Sequence, residues 1–268
     1  MKDLTKDSIL VHILTMAAPA AVVMLVQAGH QIVVLYFVSR IGSDAVASVS
    51  AAGNVAFIVA ALAQILNVGT VALVAHSAGR KDLGDINYLL NQALGIGLVC
   101  AVVTICVLYA VAPLYMGTIS RDEAVVDMGV RFLWWVSPAF ALLFPMTALS
   151  ATLRGIGVLS APMLILAFTV VLDAAFSAIL IPGRGFIPAL GVDGAALANT
   201  VSFLIGIALM LAYLHWAEPG LAIRGKLLVP RLATWRRISA LGLPAAAELA
   251  LVFLSTSVIY FTLRNQGA

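Results

Sequence analysis

Asp173 is the residue best placed to do chemistry. It stands in an apolar stretch, eleven positions after Pro162 and eight before Ile181. A carboxylate deep in a bilayer costs about 2.5 kcal/mol or more, so it is expected to face a bundle interior or a water-filled cavity, where it can take up a proton or hold a cation. Thr169 and Ser177 lie four positions to either side. On a helix they share its face and are within hydrogen-bonding reach. Glu248 is a second candidate, one turn after Pro244. Proline frees a backbone carbonyl and bends its helix, leaving polar groups near the carboxylate. Asp173, Thr169, Ser177 and Glu248 thus form the candidate cation-coupling set, and the competing reading is that these residues pair helices.

A second group has the character of a cavity lining. Gln27, His30 and Gln31 fall at i, i+3 and i+4, and Gln64 and Asn67 form a smaller stripe. Such stripes either hold helices together or line a polar cavity. His30 is not read as a metal ligand, because no second His, Cys or carboxylate stands at ligand spacing. Pro19, Pro138, Pro145 and Pro244 lie inside apolar runs and are expected to bend their helices. Gly183-Arg184-Gly185 has neither the flanking strand nor the Gly-Lys-Ser/Thr ending of a phosphate loop. His-Glu-x-x-His and a Ser-His-Asp set are also absent, so the sequence supports no enzyme. Cys100 and Cys106, six positions apart, point to different faces of one helix and are read as small apolar side chains rather than a disulfide.

The elements that position these residues must be membrane helices. Only 10% of the chain is charged, against 63% hydrophobic, and the mean hydropathy is +1.09. A soluble surface needs about 25% charged residues, so the bilayer is the expected solvent. Runs without Asp, Glu, Lys or Arg cover Ser8–Ser39, Ala45–Gly79, Ile86–Ser120, Phe132–Leu153, Gly155–Leu172 and Gly194–Ala217. A seventh, Ile238–Leu263, is broken only by Glu248. A span needs about 20 apolar residues. Seven helices are expected, at roughly 13–38, 51–76, 88–112, 128–150, 160–181, 193–216 and 238–263. The first run is too long for a cleaved signal peptide and is followed by further spans. The fold class is therefore an all-α polytopic bundle.

Lys and Arg set the orientation. The side holding the amino terminus and every second loop carries Lys2, Lys6, Arg80, Lys81, Arg154, Arg224, Lys226, Arg231, Arg236 and Arg237. The other side carries Arg40, Arg121, Arg131, Arg184 and Arg264. The amino terminus is accordingly expected in the cytoplasm. Trp134, Trp135, Trp216 and Trp235 fall near span ends, where indoles favour the interface. The longest polar connection, Glu218–Arg237, holds five cations and one acid. It is read as a cytoplasmic linker along the membrane surface, or else as a plain solvated loop. The modest net charge of +3 gives no reason to expect nucleic-acid binding.

An internal repeat is visible at an offset of 225. Ile13-Leu-Thr-Met-Ala-Ala-Pro19-Ala-Ala matches Ile238-Ser-Ala-Leu-Gly-Leu-Pro244-Ala-Ala, and Gly42 meets Gly267 at the same offset. This divides the chain into a six-helix lobe at 1–217, an inter-lobe linker at 218–237 and the first helix of a second lobe at 238–268, truncated before its carboxyl-terminal remainder. Paired repeats with the substrate path between them are a common transporter architecture.

Several stretches carry a resemblance. Pro19 and Gln27 followed by Phe37-Val38-Ser39-Arg40-Ile41-Gly42 resemble the first helix of the multidrug and toxic compound extrusion (MATE) family. Leu153-Arg154-Gly155-Ile156-Gly157 with Pro162-Met163 is similar to that family's loop between helices four and five, and Leu172-Asp173 to its helix five. Leu190–Ala198 resembles the start of its sixth helix, and Arg237–Pro244 the start of its second lobe. The resemblance implies twelve helices in two lobes, exporting organic cations and other drugs against proton or sodium entry, with Asp173 at the carboxylate implicated in coupling. It departs from the family at Val34, where a first-helix acid is expected, and at Thr169, where an Asn is expected.

The function expected is a secondary antiporter exporting drugs, organic cations or metabolites from a bacterial inner membrane. Its partners are the lipid bilayer, a small-molecule substrate and the second lobe; it needs no cofactor beyond H+ or Na+ as coupling ion. The alternatives are a lipid-linked glycan flippase of the same superfamily, which would carry several buried cavity cations that the sequence does not reveal, and a non-transporting membrane fragment. The topology is testable: reporters fused after Ile86 and after Asp122 are expected to report opposite sides, cytoplasmic and external respectively. The same side for both rejects the orientation.

Overall fold

The computed structural model describes residues 9–183 and 188–264, with side chains in 9–20, 22–23 and 252–264 outside the described set. It consists of seven α-helices: α1 Ile9–Ser39, α2 Ser43–Gly79, α3 Leu83–Ile119, α4 Glu123–Gly155, α5 Ser160–Leu180, α6 Val192–Ala217 and α7 Leu232–Arg264. No strand occurs among the described residues. Helices satisfy their own backbone, which a bilayer interior demands, and α2 to α6 are each long and apolar enough to cross one.

The expected spans are all present, but most are longer than charge-free runs suggest. α2 begins eight residues earlier than expected, and α3 and α4 each overrun at both ends. The extra turns carry Asp44, Asp85, Glu123, Asp127 and Arg154. Charged residues are excluded from the hydrocarbon but not from helices that continue into the polar interface. Two of these starts are capped: Asp82 accepts from the Asp85 amide at 3.0 Å, and Asp122 from that of Ala124 at 3.0 Å.

α4 is the central helix, packed against α2, α3 and α6, while α5 bridges α1 and α6. Two apolar clusters stack along the bundle. One lies toward the α1–α2, α3–α4 and α5–α6 turns and includes Val38, Met116, Leu133 and Ile181. The other lies toward the opposite end and includes Val74, Leu90, Leu153 and Ile238. α4 runs through Pro138 and Pro145, and α7 through Pro244; α3 also contains Pro113. Proline at 138 leaves the Trp134 carbonyl without its helical donor. The Ser137 hydroxyl donates to that oxygen at 2.9 Å. Cys100 and Cys106 are both free thiols.

The linker after α6 is neither free in solvent nor merely laid along a lipid surface. Asn87 and Asn91, one turn apart on α3, each donate and accept along its backbone. Asn87 accepts from the Ala222 amide at 2.8 Å and donates to Gly220; Asn91 accepts from the Arg224 amide at 2.7 Å and donates to the Ala222 carbonyl at 3.0 Å. Gln92 extends the ladder by donating to the Leu227 and Val229 carbonyls, at 2.6 and 2.9 Å, and accepting from the Arg231 amide at 3.0 Å. Primary amides suit this role because each offers both a donor and an acceptor.

That strap delivers α7 to α2. Shifted by the 225-residue offset, Ile9–Ser39 falls on 234–264, against Leu232–Arg264 for α7. The two helices meet through reciprocal glycines. A Cβ at Gly69 would lie 2.0 Å from the Ile238 carbonyl oxygen, and one at Gly242 would lie 1.9 Å from that of Ile65. Small residues that admit a neighbouring backbone are the usual means of close helix crossing in membranes. Gly69→Ala is therefore expected to destabilise the α2–α7 crossing by about 1–3 kcal/mol. Gly53→Ala, whose Cβ would meet nothing within 4 Å, is expected to be neutral or stabilising by up to about 1 kcal/mol. Reversible unfolding in mixed detergent micelles compares the two, and equal effects reject the crossing.

Candidate functional site

A cavity of about 730 Å³ lies among α1, α2, α4, α5 and α6. Gln27, His30, Gln31, Gln64, Asn67, Thr169 and Asp173 all line it. The structure thus gathers both polar stripes and the helix-five carboxylate around one space. Its remaining walls are largely apolar, including Met24, Leu143, Met146 and Phe203. A mostly apolar hollow with a few convergent polar groups is the usual form of a small-molecule site.

Asp173 is 5% exposed. Its partners come from other helices rather than its own. Asn199 on α6 donates its Nδ2 to Asp173 Oδ2 at 2.8 Å. His30 on α1 brings Nε2 to 2.8 Å from the same oxygen, with the two side chains 15% and 7% exposed. The two atoms are close but not aligned as a hydrogen bond, and the contact is an ion pair only when the imidazole is protonated. Asp173 therefore joins α1, α5 and α6 at one point.

The expected partners behave differently. Thr169 and Ser177 share the buried face of α5 with Asp173, but neither hydrogen-bonds it. The Thr169 hydroxyl donates to the Ile165 carbonyl at 2.7 Å, the intrahelical bond a threonine one turn on can make. Ser177 Oγ is buried with no hydrogen-bond partner among the described residues, as are Asp173 Oδ1 and Ser202 Oγ. On a helix, i and i+4 side chains lean the same way along the axis. A short hydroxyl reaches its own backbone more readily than a carboxylate a turn away. Glu248 does not join the site: it is exposed on α7 and outside the cavity lining. Of the proline positions, Pro19 has a side chain outside the described residues. Pro145 sits at the α3–α4 crossing, where a Cβ on Gly97 would approach its nitrogen to 3.2 Å.

Two cavity residues were not anticipated. Asn199 lies in the second turn of α6, inside an otherwise apolar run, and its position was the available signal. Arg154 was assigned to a loop. α4 in fact continues to Gly155, and the guanidinium turns into the cavity, donating to Asn67 Oδ1. Asn67 in turn donates to Gln64 Oε1 at 2.8 Å, so the α2 stripe is tied to α4. No Lys or Arg is fully buried among the described residues, as expected, but one half-buried cation lines the cavity. An arginine can lie half-buried because its stem packs on apolar surface while its planar head finds polar partners. At the far end, Arg131 of α4 pairs with Asp193 of α6, and its Nε donates to Asp193 Oδ2 at 2.9 Å. Val34, where the resemblance expects an acid, packs against the outer apolar cluster. The contribution of α1 to the site comes instead from His30, one turn earlier.

Known proteins place this architecture. A relative from Bradyrhizobium diazoefficiens, described as a probable multidrug resistance protein NorM, is 28% identical over 258 residues, covering 91% of this chain and 52% of its own length. A protein of the same description from Bacillus anthracis is 25% identical over 194 residues, covering 71% and 42%. The chain thus spans about half the length of the curated relatives it matches. A solved structure described as the outward-facing conformation of a multidrug resistance MATE family transporter of the MOP superfamily shares the fold, with a TM-score of 0.79 at 23% identity, covering 94% of this chain and 55% of its own. The family pattern MatE matches residues 19–179, more than half of the chain. With that match over more than half of its length, the chain belongs to the MATE family.

Proposed function

We propose that the chain carries the ion-coupling lobe, with the first helix of a second lobe, of a secondary antiporter that exports drugs, organic cations or metabolites in exchange for H+ or Na+. The observation that carries this reading is the burial of Asp173 at a three-helix junction on the wall of a cavity large enough for a drug-sized molecule. A carboxylate kept at such a depth is costly unless it is used. Family membership supports transport, and the relatives' description as multidrug resistance proteins supports drugs as substrates. The match of α7 to α1 at the 225-residue offset supports a two-lobe whole, in which alternating access moves one lobe against the other. Arg154 is the one cation lining the cavity among the described residues. A single arginine falls short of the several cations expected for binding a lipid-linked glycan, which favours the exporter over the flippase. The positive bias of one set of loops supports a cytoplasmic amino terminus in a bacterial inner membrane.

The test is loss of a lipophilic cationic dye from efflux-deficient cells producing the full gene product, followed across external pH and sodium. Asp173→Asn is expected to abolish gradient-driven export, at least about tenfold below the parent, while membrane insertion and expression are unchanged. Export by Asp173→Asn at the parental rate and ion dependence makes Asp173 structural. No energy-dependent dye loss by the unmodified product overturns the transporter reading.

A further inference from the structure

A smaller hollow, of about 210 Å³, lies apart from the Asp173 cavity, where α7 joins the lobe. α7 packs on α2 and touches α3 only lightly, and the hollow lies between them. Ile65 of α2 and Phe144 of α4 back it, with Ile96 of α3 and Ser239 of α7 on its two sides. Leu62 and Val99 also line it while 50% and 44% exposed, so it opens to the outer face of the bundle. Its volume is below the roughly 300 Å³ of a drug-sized ligand site. A narrow, mostly apolar slot that opens toward lipid fits a hydrocarbon chain.

A polar end is built onto the same seam. Arg231, Trp235 and Ser239 follow at one-turn spacing, and each meets α3. The Arg231 guanidinium lies 5.5 Å from the centre of the Tyr88 ring, over its face. A Cβ at Gly95 would lie 3.8 Å from the Trp235 ring. Ser239 lines the slot with Ile96. Charge, indole and apolar slot thus succeed one another inward from the linker, the order in which a leaflet presents headgroup, interface and acyl chain. Arg231 is exposed, and no carboxylate lies at ion-pair distance from it among the described residues; the same holds for Arg224, Lys226, Arg236 and Arg237. A guanidinium laid over a ring keeps edge N–H groups free, and that edge matches a phosphate.

We propose that the α3–α7 seam holds one anionic phospholipid, its phosphate on Arg231 and one acyl chain in the slot beyond Trp235. Charge and shape set the occupant. Cations of the linker and early α7 that lack carboxylate partners favour an anionic headgroup over a zwitterionic one. An extended peptide is disfavoured, because its backbone polar groups find too few partners in a mostly apolar slot. The lipid covers a side of α7 that α2 leaves open, and so props the helix beside its Gly69–Gly242 crossing. The proposal is independent of the coupling role of Asp173.

Native mass spectrometry of the full gene product, released from detergent containing equal amounts of phosphatidylglycerol and phosphatidylcholine, reads the occupant. One phosphatidylglycerol is expected to be retained at least about threefold over phosphatidylcholine. Arg231→Gln is expected to remove that preference. Arg237→Gln, which removes the same charge from another face of α7, is expected to keep it. Ser239→Phe, which fills the slot and leaves every charge in place, is expected to weaken retention. No preference in the unmodified product overturns the proposal, and that comparison stands even where a variant fails to fold. Equal loss in Arg231→Gln and Arg237→Gln means diffuse attraction to a basic surface and also overturns it, as does undiminished retention in Ser239→Phe. A preference shown by the 268-residue chain but not by the full product gives the slot to the second lobe, and overturns the lipid.

Discussion

A carboxylate in the middle of a membrane has to be met by partners from other helices, and much of this bundle is arranged around that need. Water is not there to solvate Asp173, and a residue on its own helix one turn away reaches it poorly. The partners come instead from α1 and α6, as His30 and Asn199. The consequence extends beyond the site. α1 packs chiefly on α5 and only lightly on α2, so the His30–Asp173 contact is part of what holds the first helix to its lobe.

The opposite end of the molecule solves a different problem, that of holding a connecting segment whose only regular structure before α7 is a short 3-10 turn at Gly225–Leu227. Backbone groups near a membrane need partners as much as side chains do. Asn87, Asn91 and Gln92 supply them in a row along α3, pairing with alternate residues of the linker much as a neighbouring strand would. The linker then leads into a helix that comes within backbone contact of α2 at Gly69 and Gly242. These features fix where α7 begins relative to α2 and α3. They also place the crossing at the end of the bundle where the α2–α3 and α4–α5 turns lie, near the Arg154 end of the cavity. Polar satisfaction and close packing work at different sites here, and neither could replace the other. The amide ladder has no apolar area to bury, and the glycine crossing has no side-chain hydrogen bonds to make.

The residues alone determined a great deal. Seven helices, their order, the cavity stripes and the burial of Asp173 follow from hydropathy, period and the cost of charge in hydrocarbon, because these are local properties of a chain in a bilayer. Helix ends were less legible, since a charged residue stops a span but not a helix.

Tertiary structure decided who meets whom. Sequence spacing favoured Thr169 and Ser177 as partners of Asp173, whereas the fold chose residues 143 positions before it and 26 after it. Nothing in the local pattern of His30 or Asn199 records that distance. The same holds for Arg154, whose charge suggested a loop until α4 turned it inward to Asn67, and for Glu248, whose neighbouring proline suggested a site until α7 presented it outward. Periodicity specifies the face of a helix a residue occupies, but the helix opposite that face is set by how the whole bundle packs.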